Sequence, residues 1–203
     1  GLPIEVLAIG SNQNDILPRT LETGVYEMRG VMATSSPSMD IQISSNFERY
    51  LFEASGGDAD LVALQMQMLA QGRRFELSEE QITGVRRDFV ARAAGEEEVA
   101  ATIRDTLASS TYMLDPHTAC GVHAAKTALQ GRVPDDTARV ILATAHPAKF
   151  PDAMETITGM RPGLPARLSS LLTDAERYPV LGNDLKEVQT YVERVSRSAG
   201  APA

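Results

Sequence analysis

The chain has 203 residues, of which 43% are hydrophobic and 23% charged, so it is long enough to bury one sizeable core. Its 27 acidic and 19 basic side chains leave a net charge of -8, which disfavours binding to nucleic acids and to anionic membrane surfaces. A single cysteine excludes an internal disulfide, and the sequence has no apolar run of about 18 residues, so we expect a cytoplasmic protein.

Two short apolar runs predict buried strands. The first is IEVLAI at Ile4–Ile9, bounded by Pro3 and Gly10, and the second is RVILAT at Arg139–Thr144. A sheet of fully apolar strands usually contains about five of them. Two predicted strands therefore indicate that part of the sheet lies outside this chain.

Most of the sequence between and after these strands has a helical pattern. Asp58 is placed to cap one helix, and Ser78 with Gln81 matches a capping box at the start of another. The apolar spacing extends this second helix through Phe89, with Gly95 as its stop. The pattern therefore predicts a helix-rich α/β protein.

The chain is predicted to end in a helical tail. GMRPGLP, from Gly159 to Pro165, interrupts the helical pattern and divides a region at 1–158 from a tail at 159–203 that packs on the same domain. The final residues, from about Ser198, are expected to be loose. An apolar stripe at helical spacing marks the last helix and consists of Leu185, Val188, Val192 and Val195.

The segment DPHTACGVHAAK, from Asp115 to Lys126, predicts a well-defined helix start. Asp115 is a good N-cap and Pro116 a good first helical residue, which places Thr118 in the first turn. The amides of that turn have no partner within the helix. The Thr118 hydroxyl can bond the local backbone or point toward a ligand, and the residues alone favour the ordinary helix start.

Three residues of the same segment resemble a metal site only superficially. His117, Cys120 and His123 are spaced by three, so they share one side of a helix, and imidazole and thiolate both bind zinc. The sequence offers no obvious fourth ligand, and the spacing matches no common zinc pattern. A packed helix is the better interpretation, so we predict neither a metal site nor a cysteine nucleophile here.

Polar residues follow both predicted strands. Asn12 and Asn14 come after the first strand, where turn and cap formation is the favoured interpretation. Thr144 and His146 come after the second, before a helix that restarts at Pro147. Ligands of open α/β sheets bind beyond the carboxyl ends of strands, although a histidine bonded to the backbone explains His146 equally well.

The segment Ser36–Asp58 contains one more pair of candidate residues. Ser45 and Glu48 match a capping box, so most of the segment has a structural role. Asn46 and Arg49 lie near the same predicted helix start, and an arginine there can pair with an anionic substrate group. A solvated or salt-bridged side chain remains the ordinary interpretation of Arg49.

Four segments, at 8–15, 36–58, 115–126 and 139–150, together resemble threonine synthases over nearly the whole chain. The resemblance implies the helix-rich C-terminal part of a fold type II pyridoxal-phosphate enzyme. That architecture is tryptophan-synthase-β-like, with three α/β/α layers, and its sheet is expected to be incomplete in this chain.

The resemblance also implies an activity. The expected reaction of the full-length protein is the pyridoxal 5'-phosphate-dependent conversion of O-phospho-L-homoserine and water to L-threonine and phosphate, a carbon-oxygen lyase chemistry. In this family the cofactor-bonding lysine and the glycine-rich phosphate loop lie upstream. The lysines here, Lys126, Lys149 and Lys186, do not stand in that motif. We therefore assign no catalytic residue and expect the chain alone, without its N-terminal partner segment, to be inactive.

By the same resemblance, Thr118 is expected to hydrogen-bond the pyridine nitrogen of the cofactor. A hydroxyl donor at this place leaves that nitrogen largely unprotonated. Thr144 and His146 are expected to form a wall of the cofactor site, and Asn46 and Arg49 are the candidates for substrate binding. Two alternatives stay open: a homologous binding or interaction module without catalysis, and a related phospho-amino-acid lyase that uses the same cofactor.

Overall fold

The computed structural model describes residues 3–197, which form two compact units. The first unit extends to Gly163, and the second begins at Leu164. The division into a catalytic region at 1–158 and a tail at 159–203 stays a prediction, and the end of the tail from Ser198 lies outside the described residues.

Two pairs of short strands form the sheets of the described residues. Strands β1 (Leu7–Ser11) and β4 (Phe89–Ala93) are parallel, with residue partners in unbroken order along both strands. Strands β2 (Val25–Glu27) and β3 (Arg74–Glu76) are antiparallel. The first strand was predicted at Ile4–Ile9 and is observed at Leu7–Ser11. It begins at Leu7 because that residue is opposite Phe89, the first residue of its partner strand β4.

Strand β4 was not expected from the sequence. Helix α4 (Glu79–Asp88) ends at Asp88, and the backbone becomes extended at Phe89, where the helical pattern predicted continuation. The Phe89 ring meets the Tyr50 ring edge-on, with 4.8 Å between the ring centroids. Parallel pairing with β1 and this aromatic contact override the local helical spacing.

The second predicted strand, at 139–144, is wrong for this structure. The segment has no strand assignment, and Val140 and Leu142 are 88% and 77% exposed. Ile141 between them is half-buried and packs against the cluster that contains Val90. The alternation of exposed and half-buried side chains is that of a strand. No residue within 3–197 pairs with the backbone of this segment, so no ladder forms.

The predicted caps are mostly observed. Asp58 accepts a hydrogen bond from the Leu61 amide at 2.9 Å, and the Ser78–Gln81 capping box is complete. The Ser45–Glu48 box does not form, because its helix begins at Phe47 without a side-chain cap. Besides α4, the helices of the first unit are α1 (Ile16–Thr23), α2 (Phe47–Ala54), α3 (Ala59–Gly72), α5 (Glu96–Ser110), α6 (Pro116–Thr127) and α7 (Pro151–Thr158).

The two largest of the three core clusters among the described residues form most of the core of the first unit. One is an aromatic cluster in which Tyr26 stacks on Phe47 and Phe75 at centroid distances of 5.7 and 5.0 Å. The other, at the junction of α5, α6 and α7, includes the fully buried Ile103 and Met154. Helix α6 packs on both β1 and α5.

The second unit contains the predicted last helix, α8 (Leu185–Val195). Its apolar stripe is exposed, with Leu185 73% and Val192 53% accessible. Within residues 3–197 no helix is both long and apolar enough to cross a membrane.

Candidate functional site

The first turn of α6 is organised around the carboxylate of Asp115. Its Oδ1 accepts from the backbone amides of His117 at 2.9 Å and Thr118 at 3.3 Å, as predicted for an N-cap. Asp115 and Thr118 are 2% and 4% exposed. The carboxylate therefore satisfies the unpaired amides of the turn in a site that is almost closed to solvent.

Side chains complete the hydrogen bonds of this carboxylate. The Thr118 hydroxyl donates to Oδ2 of Asp115. The His117 ring lies 3.2 Å from Oδ1 through Nδ1, while its Nε2 accepts from the Ser38 amide at 3.2 Å. Acceptance at Nε2 requires the proton of the neutral ring to be on Nδ1, so His117 donates to Asp115.

A cleft of about 300 Å³ opens beside this turn. Thr118 and Asp115 line it on one side, and His146 lines it from the segment after the extended run. The structure thus brings together two residues that lie in separate sequence motifs. Most of the remaining lining is apolar and consists of Tyr112, Met113, Ala145, Pro147 and Pro162.

His146 has a structural bond as well as a place in the cleft. Its Nδ1 accepts from the Ala148 amide at 3.1 Å and so caps the short 3₁₀ turn at Pro147–Lys149. The proton of the neutral ring is therefore on Nε2, which leaves one donor for a ligand. Thr144 is exposed and does not line the cleft, so its proposed wall position stays a prediction.

Asn46 and Arg49 lie elsewhere in the first unit. Both are exposed at the start of α2, which packs on α3 and α4 through Phe47 and Leu51. Neither lines the cleft beside Thr118. Their role in substrate binding is not tested by this structure and stays a prediction.

The asparagines that follow β1 have structural partners. Asn12 is fully buried, and its amide donates to Oδ1 of Asp40 at 2.8 Å. The Asn14 amide donates to the same oxygen at 3.0 Å, and its carbonyl accepts from the Met32 amide at 2.8 Å. These bonds hold the loop that carries Ser38, the partner of His117, against the end of β1. The predicted turn is seen in the hydrogen bond that the Asn14 backbone amide donates to Oδ1 of Asn12 at 2.9 Å, whereas the other bonds join distant segments.

The histidines and the cysteine of α6 do not combine into a metal site. Burial raises the pKa of the Cys120 thiol to about 11, which keeps it protonated at neutral pH. The His117 ring is occupied by Asp115 and Ser38 and packs on Phe150, with 4.7 Å between the ring centroids. Among residues 3–197 no group of three or more metal-binding side chains is present.

The residues of the cleft fit the nitrogen-bearing edge of a pyridine ring. A planar heteroaromatic ring needs apolar walls for its faces and one polar group opposite its ring nitrogen. Met113 and Pro147 are such wall residues, and the Thr118 hydroxyl is such a polar group. No lysine is among the described residues that line this cleft.

From the sequence, Asp115 was predicted only as a helix cap, and its hydrogen bond with the Thr118 hydroxyl was missed. The sequence feature that could have predicted this bond is the spacing of three residues between Asp115 and Thr118, at which an N-cap side chain reaches the N3 position. That spacing does not tell whether the threonine hydroxyl bonds the backbone, the carboxylate or a ligand.

Comparisons with known proteins agree on one family. The family model "Threonine synthase, C-terminal" matches residues 118–192. Threonine synthase from Pseudomonas aeruginosa is 39% identical over 196 residues, which cover 96% of this chain and 41% of that protein. The chain thus spans about two fifths of the length of this relative.

Solved structures give the same relationship. The crystal structure of PLP-bound threonine synthase from Brucella melitensis superposes with a TM-score of 0.81 at 51% identity, over 97% of this chain and 42% of that one. Threonine synthase from yeast gives a TM-score of 0.78 at 37% identity, over 95% and 42%. These matches confirm the predicted helix-rich α/β fold with an incomplete sheet. The chain belongs to the threonine synthase family and corresponds to the C-terminal portion of those enzymes.

Proposed function

We propose that the full-length protein is a threonine synthase that binds pyridoxal 5'-phosphate and converts O-phospho-L-homoserine and water to L-threonine and phosphate. Family membership and the PLP-bound relative from Brucella melitensis support this assignment. The observation that carries it is the buried Thr118–Asp115 pair on the wall of an otherwise largely apolar cleft. A cytoplasmic location belongs to the same proposal and rests on the single, buried thiol.

In this proposal the cleft binds and orients the cofactor ring. Thr118 meets the ring nitrogen, the apolar lining excludes water from the ring faces, and the Nε2–H of His146 offers a donor nearby. The cofactor, when bound, supplies the electron sink for the reaction. Arg49, with its exposed guanidinium, and Asn46 are proposed to bind an anionic group of the substrate.

The chain by itself is proposed to be inactive. The lysine that bonds the cofactor and the loop that holds its phosphate are assigned to the remaining part of the full-length protein, which is the expected partner of this chain. The polar side chains that line the cleft include Thr118, Asp115 and His146, and no lysine is among the described lining residues. We therefore expect the 203-residue chain to show neither tight cofactor binding nor turnover, measured by cofactor absorbance and by phosphate release.

The decisive experiment is an assay of the full-length protein with O-phosphohomoserine, in which phosphate and threonine are measured together. Equal amounts of both products are expected. Thr118→Val should lower kcat/KM by at least about tenfold, since a hydrogen bond to a charged or strongly polar group is lost. Thr156→Val is the matched control, because Thr156 is exposed on α7 and its hydroxyl bonds only its own helix.

Two results of this assay contradict the proposal. Release of phosphate with an oxoacid in place of threonine identifies a related lyase. A full-length protein that binds no cofactor and converts no substrate identifies a binding or interaction module.

A further inference from the structure

The ring of His117 joins the cleft wall to a loop that is not part of the cleft. Its Nδ1–H donates to Oδ1 of Asp115, a lining residue, at 3.2 Å. Its Nε2 accepts from the backbone amide of Ser38 at 3.2 Å. His117 is 6% exposed, and its ring packs on Phe150. Both ring nitrogens are therefore used, one as a donor and the other as an acceptor.

The loop at 34–40, which carries Ser38, has further anchors in the first unit. Oδ1 of Asp40 accepts from the Asn12 side chain at 2.8 Å, which holds the loop at the end of β1. Met39 packs against the core cluster of α5, α6 and α7. The bond from Ser38 adds a direct link from this loop to the first turn of α6.

One tautomer of His117 is required for both of its hydrogen bonds. With the proton on Nδ1, the ring offers a donor to the Asp115 carboxylate and a lone pair to the Ser38 amide. With the proton on Nε2, the ring would set a donor against the Ser38 N–H and a lone pair against Oδ1 of Asp115. Each nitrogen thus restrains a different part of the molecule.

We propose that His117 is a positioning residue that fixes the Asp115 carboxylate at the cleft wall through Nδ1 and holds the loop at 34–40 through Nε2. His117 is not among the residues that line the cleft, so it acts on a bound group through Asp115. Its effect on catalysis rests on the proposed function, in which this cleft holds the cofactor. Its effect on the loop is independent of that function.

Two substitutions separate the two roles. Asparagine places an amide donor near the position of Nδ1 but is too short to reach Ser38. Glutamine places a carbonyl acceptor near the position of Nε2 and has no donor near Nδ1. His117→Asn should therefore keep the bond to Asp115, and His117→Gln should keep the bond from Ser38. The matched control is His123→Asn, because His123 is half-buried on the same helix and its ring makes no hydrogen bond within residues 3–197.

Turnover and amide hydrogen exchange are measured on the full-length protein. His117→Gln should lower kcat by about tenfold or more, because a misplaced cleft wall costs orientation, and should leave exchange at 34–40 as in the wild type. Its KM should stay within about twofold, since the proposed substrate residues Asn46 and Arg49 do not line the cleft. His117→Asn should show the reverse, with kcat within about twofold and exchange at 34–40 faster by about fivefold or more.

Any pattern other than this reciprocal one overturns the proposal. In particular, a ring that only fills space would give the same losses in both variants, and a ring without either role would give none. If neither variant folds, the ¹⁵N chemical shifts of the wild-type His117 ring at pH 8 decide. A protonated Nδ1 with an unprotonated Nε2 is expected, and a proton on Nε2 contradicts the proposal.

Failure of the proposed function gives a different result. A full-length protein that makes no threonine contradicts that function. The exchange at 34–40 and the His117 tautomer still decide in that case whether the ring holds the loop.

Discussion

Gly10 determines how closely helix α6 approaches strand β1. A Cβ atom added at this position would lie 2.7 Å from the Cys120 carbonyl oxygen and 2.9 Å from the Cα of Gly121. Both are backbone atoms of α6, so they can move only if the helix moves. The first turn of α6, which carries Asp115 and Thr118, depends on this packing.

Gly10→Ala is therefore expected to lower the free energy of unfolding by about 1–3 kcal/mol, the usual cost of overpacking a core. Urea denaturation measures the change. Gly30→Ala is the matched control, because nothing lies within 4 Å of a Cβ atom there. Its effect should stay within about 0.5 kcal/mol. Equal effects of the two substitutions would show that the close approach has no energetic consequence.

Cys120 gives a prediction that concerns pH. Its side chain is fully buried, and burial raises the pKa of the thiol to about 11 from an ordinary 9.0. A pKa raised on folding means that the protonated thiol stabilises the fold below about pH 9, and that this contribution is lost as the pH rises toward 11.

In the native chain, Cys120 should therefore react with a disulfide reagent at pH 8 far more slowly than a free thiol. The reagent cannot reach the buried sulfur, and little of the thiol is ionised at this pH. Denaturation in urea should restore the ordinary rate. Rapid labelling of the folded chain at pH 8 would contradict the burial of this helix face.

At the scale of the elements, two buried glutamines join three helices. Nε2 of Gln65 on α3 donates to Oε1 of Gln81 at 2.7 Å. Gln81 is also the N3 residue of the capping box of α4. Gln81 Nε2 donates to the Leu51 carbonyl of α2 at 3.4 Å. Gln65 and Gln81 are 2% and 0% exposed, so a lost partner cannot be replaced easily by water.

Gln81→Leu should destabilise the chain by about 2–4 kcal/mol, because it removes the side-chain half of the capping box and leaves the Gln65 carbonyl oxygen buried without its partner. Ser78→Ala should cost about 1 kcal/mol, since it removes only a cap. In a double-mutant cycle by urea denaturation, Gln65→Leu added to Gln81→Leu should recover part of the loss. Strict additivity of the two substitutions would show that the glutamines do not interact.

At the scale of the whole molecule, the segment at 139–144 exposes apolar side chains. Val140 and Leu142 are 88% and 77% exposed, although their alternation with the half-buried Ile141 is that of a strand. The chain spans 42% of the PLP-bound relative, so most of that protein is available to cover such a segment. We therefore predict that Val140 and Leu142 are buried in the full-length protein.

The double substitution Val140→Ser/Leu142→Ser tests this. In the 203-residue chain it should change the free energy of unfolding by no more than about 0.5 kcal/mol, because both side chains are already in water. In the full-length protein it should cost about 2–4 kcal/mol, the usual loss for two truncated buried side chains. Similar small effects in both proteins would contradict burial of this segment.

Local signals predicted much of the helical structure. Asp58, the Ser78–Gln81 pair and Asp115 lie within three residues of the amides that they cap, and all three caps are present. Strand β4 was missed, because the spacing around Phe89 is helical and only the distant strand β1 makes it extended. Strand pairing depends on partners far along the chain, which a local pattern does not contain.

The sequence by itself determined the caps of α3, α4 and α6, the place of Thr118 in the first turn of α6, and the family resemblance that the comparisons confirm. Only the tertiary structure decided that Thr118 and His146 share a cleft and that the Thr118 hydroxyl donates to Asp115. Caps arise from contacts over three or four residues. The cleft requires two segments distant in sequence to pack together. The direction of the Thr118 hydroxyl depends on the buried Asp115 carboxylate, which also accepts from the His117 ring, and the Ser38 amide orients that ring.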